Sequence, residues 1–407
     1  MGPVYTGGML VTPEQGMRKQ TVFPVLIGFA ALLFSYAERY RPIFPLPFDI
    51  AWLAVFLCGA QYLLRAASGR AAALSLLSLS GVFLISLGDP FAGGAISLLL
   101  LLSTLAAEKI LVRSGSGIAG FLRRVPKMAR VIDGEKTSFL PLAGIRTGDT
   151  VRVLCDELIP VDGYALSSGK RVRSGVVNRY GTFDMSAAGD VFNSDLQRAV
   201  RLLKSIDVEN DGAVKKSARL ADWTALLVFA AFVFTWVRTG SAERSAAVLL
   251  SLGVQPMILS AAAAVQVAVG NAAGRGYILY RTDILSRKGT RSARSVRMEA
   301  VSRLDQADLP DIVCLDGAEP DPLRLSALMR DTASKLTVSR VMCCTVTATA
   351  AALSAAGLIT ALAAALTVTA VSTLVLLRSA VPSAKVRCSP ASARGRSVRG
   401  AIRGAEG

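Results

Sequence analysis

Chemistry in this chain proceeds without histidine, which is absent from all 407 residues. That removes the commonest metal ligand and the commonest general base. The six cysteines are Cys58, Cys155, Cys314, Cys343, Cys344 and Cys388. They form no Cys-x-x-Cys pair and no disulfide framework. Cys343 and Cys344 are adjacent, and adjacent side chains on a helix point in different directions, so apolar packing rather than chelation is expected of them. No Walker-type glycine-rich phosphate loop occurs. The hydroxyls of Thr367, Thr369, Ser372 and Thr373, on the last apolar run, are expected to bond their own helix or a neighbouring one. An ion pathway usually needs an ionisable group inside the membrane. The apolar runs carry such groups only near their ends.

The elements that hold these residues are set by an apolar composition. Mean hydropathy is +0.47 and 52% of residues are hydrophobic, too apolar for an ordinary soluble protein of this size. The formal net charge is +17. On a soluble protein that would suggest nucleic acid. Here Lys and Arg concentrate between and after the apolar runs, so the positive-inside effect accounts for them, and lipid rather than nucleic acid is the expected partner. No secretory signal pattern is present, because no small-residue cleavage site follows the first apolar run closely.

A spanning helix needs roughly 17–25 apolar residues. Eight runs are candidates, at about 21–37, 50–64, 71–88, 92–111, 223–237, 246–270, 341–356 and 358–377. The last two are separated by Ala356-Gly357, which predicts a tight helical hairpin. An even number places both termini on one side, and the Lys/Arg bias places that side in the cytoplasm. The fold class expected is therefore a polytopic α-helical membrane protein of about eight transmembrane helices, in the cell membrane, with a small β-rich cytoplasmic domain.

That domain lies in the first insert. Val151, Val153, Ile159, Val161, Tyr164 and Leu166 partly alternate, with Pro160 and Gly163 as punctuation, which reads as short strands. Residues 194–206 read as a helix returning to the membrane. The second insert splits by charge. Arg291, Arg294 and Arg297 would share a helical face, either lying on anionic headgroups or forming a solvated flank neutralised by Asp305, Asp308, Asp311, Asp316, Glu319 and Asp321.

Two motifs carry the most information. One is Gly148-Asp149-Thr150-Val151-Arg152-Val153. The other is Ile159-Pro160-Val161-Asp162-Gly163, preceded by Glu157-Leu158. With the lead-in Lys127 to Gly134, the later Gly189-Asp190, the run Arg219-Leu220-Ala221-Asp222 and Gly274 to Leu279, they resemble, in order, the heavy-metal-transporting P-type ATPases. Ala307-Asp308 and Asp311 through Arg330 resemble the end of that family's phosphorylation domain. The resemblance covers about residues 50–380. Together with the apolar runs and the Lys/Arg bias, it implies four transmembrane helices over 21–112 after a cytoplasmic N-terminus at 1–20, and an actuator-like domain over 113–216. Two helices over 217–270, a phosphorylation-domain remnant over 271–340, a hairpin over 341–378 and a basic tail over 379–407 follow.

The departures from the family shape the functional expectation. The family phosphorylates an aspartate in Asp-Lys-Thr-Gly-Thr, a string this chain lacks. Asp316-Gly317 has no neighbouring Lys or Thr to hold phosphate and magnesium and reads as a charged turn. The family's actuator carries Thr-Gly-Glu, whose glutamate positions water; the corresponding Val177 to Thr182 has no carboxylate. Where the family has Cys-Pro-Cys in the sixth helix, this chain has Gln255-Pro256-Met257. A proline kink would free backbone carbonyls, and of the side chains the Met257 thioether alone suits a soft transition metal such as cuprous copper. The chain thus looks like a truncated or degenerate member of the family, with no catalytic or nucleotide-binding residues. The expected role is a pseudo-ATPase scaffold or regulator, partnered by an intact P-type ATPase or a separate catalytic subunit. The alternative is a heavy-metal transporter component that works passively or with catalytic domains supplied in trans.

Overall fold

The computed structural model describes residues 22–40, 49–66, 70–134, 136–178, 181–189, 194–205, 211–252, 255–274, 277–279, 295–297, 312–314 and 322–381. Its first four helices are α1 (Val22–Tyr40), α2 (Ala51–Ala66), α3 (Arg70–Gly88) and α4 (Pro90–Ser114). Asp89 caps α4 by accepting from the Phe91 N–H, and Pro90 occupies the first turn, where a missing N–H costs nothing. Small residues let these helices approach closely. A Cβ added at Gly94 would lie 3.1 Å from the Ala51 carbonyl oxygen and 3.3 Å from the Ala54 Cβ. After a break at Gly115, the short helix α5 (Ser116–Arg124) leads to the sheet domain.

The sheet domain contains β1 (Met128–Asp133), β2 (Lys136–Pro141), β3 (Thr150–Val153), β4 (Gly163–Ala165), β5 (Arg171–Val172) and β6 (Phe183–Ala187). Their order is β2-β1-β3-β6-β4-β5, every pairing antiparallel. Antiparallel sheets bury one face, and here the buried residues include Val131, Val151, Val153, Ile159, Val161, Met185 and Ala187. The helix α6 (Asp195–Ser205) follows, as the 194–206 reading expects.

The chain then enters α7 (Gly212–Thr239), capped by Asp211 and closed by Gly240 in the left-handed region. Next come α8 (Ala242–Leu250) and α9 (Gln255–Ala273). The run at 246–270, expected as a single span kinked at proline, is therefore two helices. Pro256 sits in the first turn of α9, where it starts a helix without removing an interior hydrogen bond.

A small sheet, β7 (Tyr277–Leu279), β8 (Ser295–Arg297) and β9 (Ile312–Cys314), has the order β7-β9-β8. The helical face proposed for Arg291, Arg294 and Arg297 fails in part, because Ser295–Arg297 is a strand pairing in parallel with β9. Extended residues alternate sides and cannot repeat every third position on one face. The helix α10 (Pro322–Ala355) absorbs the expected span at 341–356 as its second half, and α11 (Ala361–Ala380) completes a hairpin through Gly357, whose φ is +74°.

Among the described residues, five helices are long and apolar enough to cross a membrane: Pro90–Arg123, Gly212–Thr239, Pro256–Ala273, Ala327–Ala355 and Ala361–Ala380. Ala51–Arg65 and Leu74–Gly88 are shorter apolar helices. Large apolar side chains such as Leu26, Leu227, Phe234 and Leu374 face outward, the pattern of a surface bathed by lipid rather than water. This is a multi-pass membrane protein with a small antiparallel sheet domain.

Candidate functional site

The two sequence motifs meet in the sheet domain, and their polar groups work as turn and strand fasteners. The Asp149 carboxylate accepts from the Arg146 N–H at 2.7 Å, closing a turn in which Gly148 adopts φ +96°. That turn is stitched to β6 in both directions: Gly148 N–H donates to the Ala187 carbonyl (2.8 Å) and Ala187 N–H to the Asp149 carbonyl (2.9 Å). Ile159 and Val161 are buried in the sheet core, flanking Pro160. Asp162 Oδ1 accepts from both the N–H and the hydroxyl of Ser174, at 2.7 and 2.8 Å. The Ser174 Oγ accepts in turn from the Leu196 N–H in the first turn of α6 at 3.0 Å. Ser174, 1% exposed, thus joins the motif to the helix. Sequence reading missed it, since nothing local marks it. At Gly163 only glycine fits, because a Cβ there would lie 2.2 Å from the Ser186 carbonyl oxygen on β6.

The loop that resembles the water-positioning segment begins at Val177, which forms an isolated bridge with Leu158. Asn178 is 3% exposed. Its amide donates inward to the carbonyls of Leu154 at 2.9 Å and Gly181 at 2.5 Å. Its backbone exchanges bonds with Asp156 and Glu157. Such a buried amide holds the loop to β3 and presents no carboxylate to water. Arg179, Tyr180 and Asp190 lie outside the described residues.

A depression of about 760 Å³ opens beside this loop, lined in part by Met128, Arg130, Phe139, Arg152, Glu157 and Val177. Arg130 pairs with Glu157 at 2.6 Å and lies over the Phe139 ring. Arg152 grips Asp184 through two bonds of 2.7 and 2.9 Å. The hydrogen bond from Arg130 holds the Glu157 carboxyl below its ordinary range, and that from Arg152 does the same for Asp184. These carboxylates are already paired, so neither is poised as a base at neutral pH.

The second candidate region is the break before α9. Met257 is 1% exposed and belongs to an apolar cluster that includes Leu252, Val248 and Cys343. Ser260, one turn on, hydrogen-bonds Ser339 on α10. Pro256 lines a cavity between helices. The Gln255 side chain lies outside the described residues. Among the described residues no group of three or more Cys, Asp or Glu stands ready for a metal ion. The acidic run, including Asp308, Asp311 and Asp316-Gly317, lies outside the described residues, as do 1–20, 382–407 and the basic stretch 281–294.

No protein-family model matches the chain. In sequence it is similar to a copper-transporting P-type ATPase of Rhizobium leguminosarum bv. viciae, 29% identical over 208 residues, covering 43% of this chain and 24% of the relative. It is also similar to copper-transporting ATPase 1 of Rhizobium meliloti (strain 1021), 25% identical over 265 residues, covering 56% of this chain and 32% of the relative. The chain thus spans about a quarter to a third of the length of these curated relatives. Crystal structures of a zinc-transporting PIB-type ATPase in two states match with TM-scores of 0.32 and 0.37 at 15% and 13% identity. They cover 69% and 68% of this chain and 51% of those chains. Those TM-scores are too low to assign a common fold. In sequence this multi-pass membrane protein is similar, over part of its length, to copper-transporting P-type ATPases.

Proposed function

We propose that the chain is a P-type-ATPase-related protein of the cell membrane that runs no phosphoryl cycle of its own and acts as a scaffold or regulator. It presents an actuator-like sheet domain to an intact pump or a separate catalytic subunit. In this reading eight helices lie in the bilayer and both termini are cytoplasmic. The single observation that carries the proposal is the Asn178 loop. Across Val177 to Thr182, the segment that resembles the water-positioning loop of the related pumps, this chain has no carboxylate, and within it the Asn178 amide is turned inward onto the Leu154 and Gly181 carbonyls. Two sequence facts lean the same way: Asp-Lys-Thr-Gly-Thr is absent, and the stretch 274–321 between α9 and α10 is short for a phosphorylation and a nucleotide-binding domain together. Crosslinking in native membranes tests the role. A crosslink from the sheet domain to a P-type ATPase or to a free catalytic subunit is expected; its absence under conditions that capture known membrane partners refutes the scaffold.

One observation favours a second reading, a cation transporter component that works passively or with catalytic domains in trans. The sixth apolar run is broken beside a cavity whose lining includes several hydroxyl-bearing residues, and interrupted helices mark substrate sites in many transporters. Passage of copper or zinc into proteoliposomes, with and without an added catalytic subunit, tests it; no flux under either condition removes it.

A further inference from the structure

At the break between α8 and α9 lies a cavity of about 50 Å³ whose lining combines aliphatic side chains with hydroxyl-bearing residues from four other helices. Tyr62 comes from α2, Ser78 from α3, Ser103 and Thr104 from α4, and Thr369, Ser372 and Thr373 from α11. Each of the six serine and threonine hydroxyls donates its hydrogen to a carbonyl of its own helix, at 2.5 to 3.2 Å. A hydroxyl has one hydrogen and two lone pairs. With the hydrogens spent on the backbone, what these groups have left to offer the cavity is acceptor capacity.

The backbone at the break adds to this bias. Helix α8 ends at Leu250, and Leu250 and Leu252 line the cavity, so the C-terminal end of the helix, the negative end of its dipole, lies beside it. On the opposite side Pro256, in the first turn of α9, also lines it and contributes no N–H donor. Non-helical backbone at membrane depth persists where it is buried in protein or faces a hydrated space; Ser251 and Leu252 are both buried. The lining contains no carboxylate, thiol or thioether. Arg65 and Glu108, beyond the lining residues Tyr62 and Ala107, pair with each other.

We infer that this cavity is a binding site for a hard monovalent cation of the sodium or potassium class, held by hydroxyl and carbonyl oxygens. Oxygen donors suit hard cations, and soft thiophilic metals select sulfur. Uncharged oxygens can replace the hydration of a single positive charge, as carbonyls do in potassium-selective filters, whereas a divalent ion ordinarily recruits carboxylates. The volume admits about three water-sized bodies, enough for one ion with part of its hydration. The inference goes beyond both readings above, and the ion is retained by the lining whether or not any heavy metal crosses the membrane.

The test uses the full chain in lipid nanodiscs. Binding of radioactive sodium and rubidium is measured, together with the thermal midpoint in sodium, potassium or choline chloride at equal ionic strength. Saturable binding of sodium or rubidium is expected, with a higher midpoint in the small cation than in choline. The pair Thr369→Val with Ser372→Ala removes two oxygens at nearly constant shape and weakens binding about tenfold or more. Ser103→Ala with Thr104→Val does the same from another helix, and Thr349→Val, on an exposed face of α10, leaves binding unchanged. No saturable binding in the unaltered protein, meaning a cavity that holds water only, overturns the inference without touching the scaffold reading. So does binding that both double variants retain at full strength, or cuprous copper displacing sodium at far lower concentration. Binding of sodium or rubidium without copper or zinc flux in proteoliposomes supports the site while removing the transport reading.

Discussion

Replacing Asp162 separates a fastening role from a chemical one. In the fold its Oδ1 accepts two hydrogen bonds from Ser174, at 2.7 and 2.8 Å, and Ser174 relays the connection to the first turn of α6. Hydrogen bonds to a charged acceptor contribute about 1.5–3 kcal/mol each. Asp162 is only partly buried, so water recovers some of the loss, and Asp162→Ala should cost about 3 kcal/mol. Asp162→Asn keeps an oxygen in the same place and should cost about 1 kcal/mol. Ser174→Ala breaks the same junction and should cost about 2 kcal/mol, and the Asp162→Ala, Ser174→Ala double variant should fall short of the sum because the two share one interaction. For a domain of this size, about 3 kcal/mol corresponds to roughly 12 °C or more in midpoint. The assay is protease protection of the sheet domain against temperature in the full chain, with each variant beside the parent. The reasoning fails if Asn destabilises as much as Ala, since the charge itself would then be what matters. A perfectly additive double variant would also refute it.

Three further outcomes follow from the packing and the ion pairs. Gly117 on α5 and Gly270 on α9 meet backbone to backbone, and a Cβ on either would lie 3.1 Å from the other's Cα; Gly270→Ala should lower the midpoint of the full chain by an amount equivalent to about 1–2 kcal/mol, and an unchanged midpoint would show that the helices part freely. Arg340 on α10 donates to the Ser217 hydroxyl at 2.9 Å and the Ala213 carbonyl at 2.8 Å on α7, so Arg340→Met, which keeps the apolar stem, should cost about 2 kcal/mol as read by thermal unfolding. Glu157 and Asp184 have carboxyls held below their ordinary 4.5 and 3.8 by Arg130 and Arg152; their contribution is complete above those ordinary values and is lost as pH falls through the lowered ones. An acid titration of the sheet domain should therefore be shallower in the Glu157→Gln variant, by a small margin because both pairs are solvent-facing.

Much of the sheet domain was legible because its signals are local. Gly148-Asp149 and Pro160 to Gly163 announce turns, and the alternating Val151, Val153 and Ile159, Val161 announce a buried face. Ser174 was not, because its importance arises from Asp162, twelve residues away, and from α6. The apolar run at 246–270 looked continuous because hydropathy averages over a window, and Pro256 is compatible with both a kink and a helix start. The structure takes the second option. Thr369, Ser372 and Thr373 were rightly expected to bond their own helix. What sequence could not supply was that Ser78, Ser103 and Thr104 face the same space, since convergence of three helices is set by packing of small residues rather than by any one segment. The helical reading of Arg291, Arg294 and Arg297 misjudged a three-residue strand, which is too short for periodicity to identify.

The claim that the chain accepts no phosphoryl group is tested most directly by incubating the purified full-length protein with γ-labelled ATP, magnesium and copper or zinc, then quenching in acid. The account predicts no acid-stable label on the protein. A labelled band that hydroxylamine removes and orthovanadate prevents would contradict it.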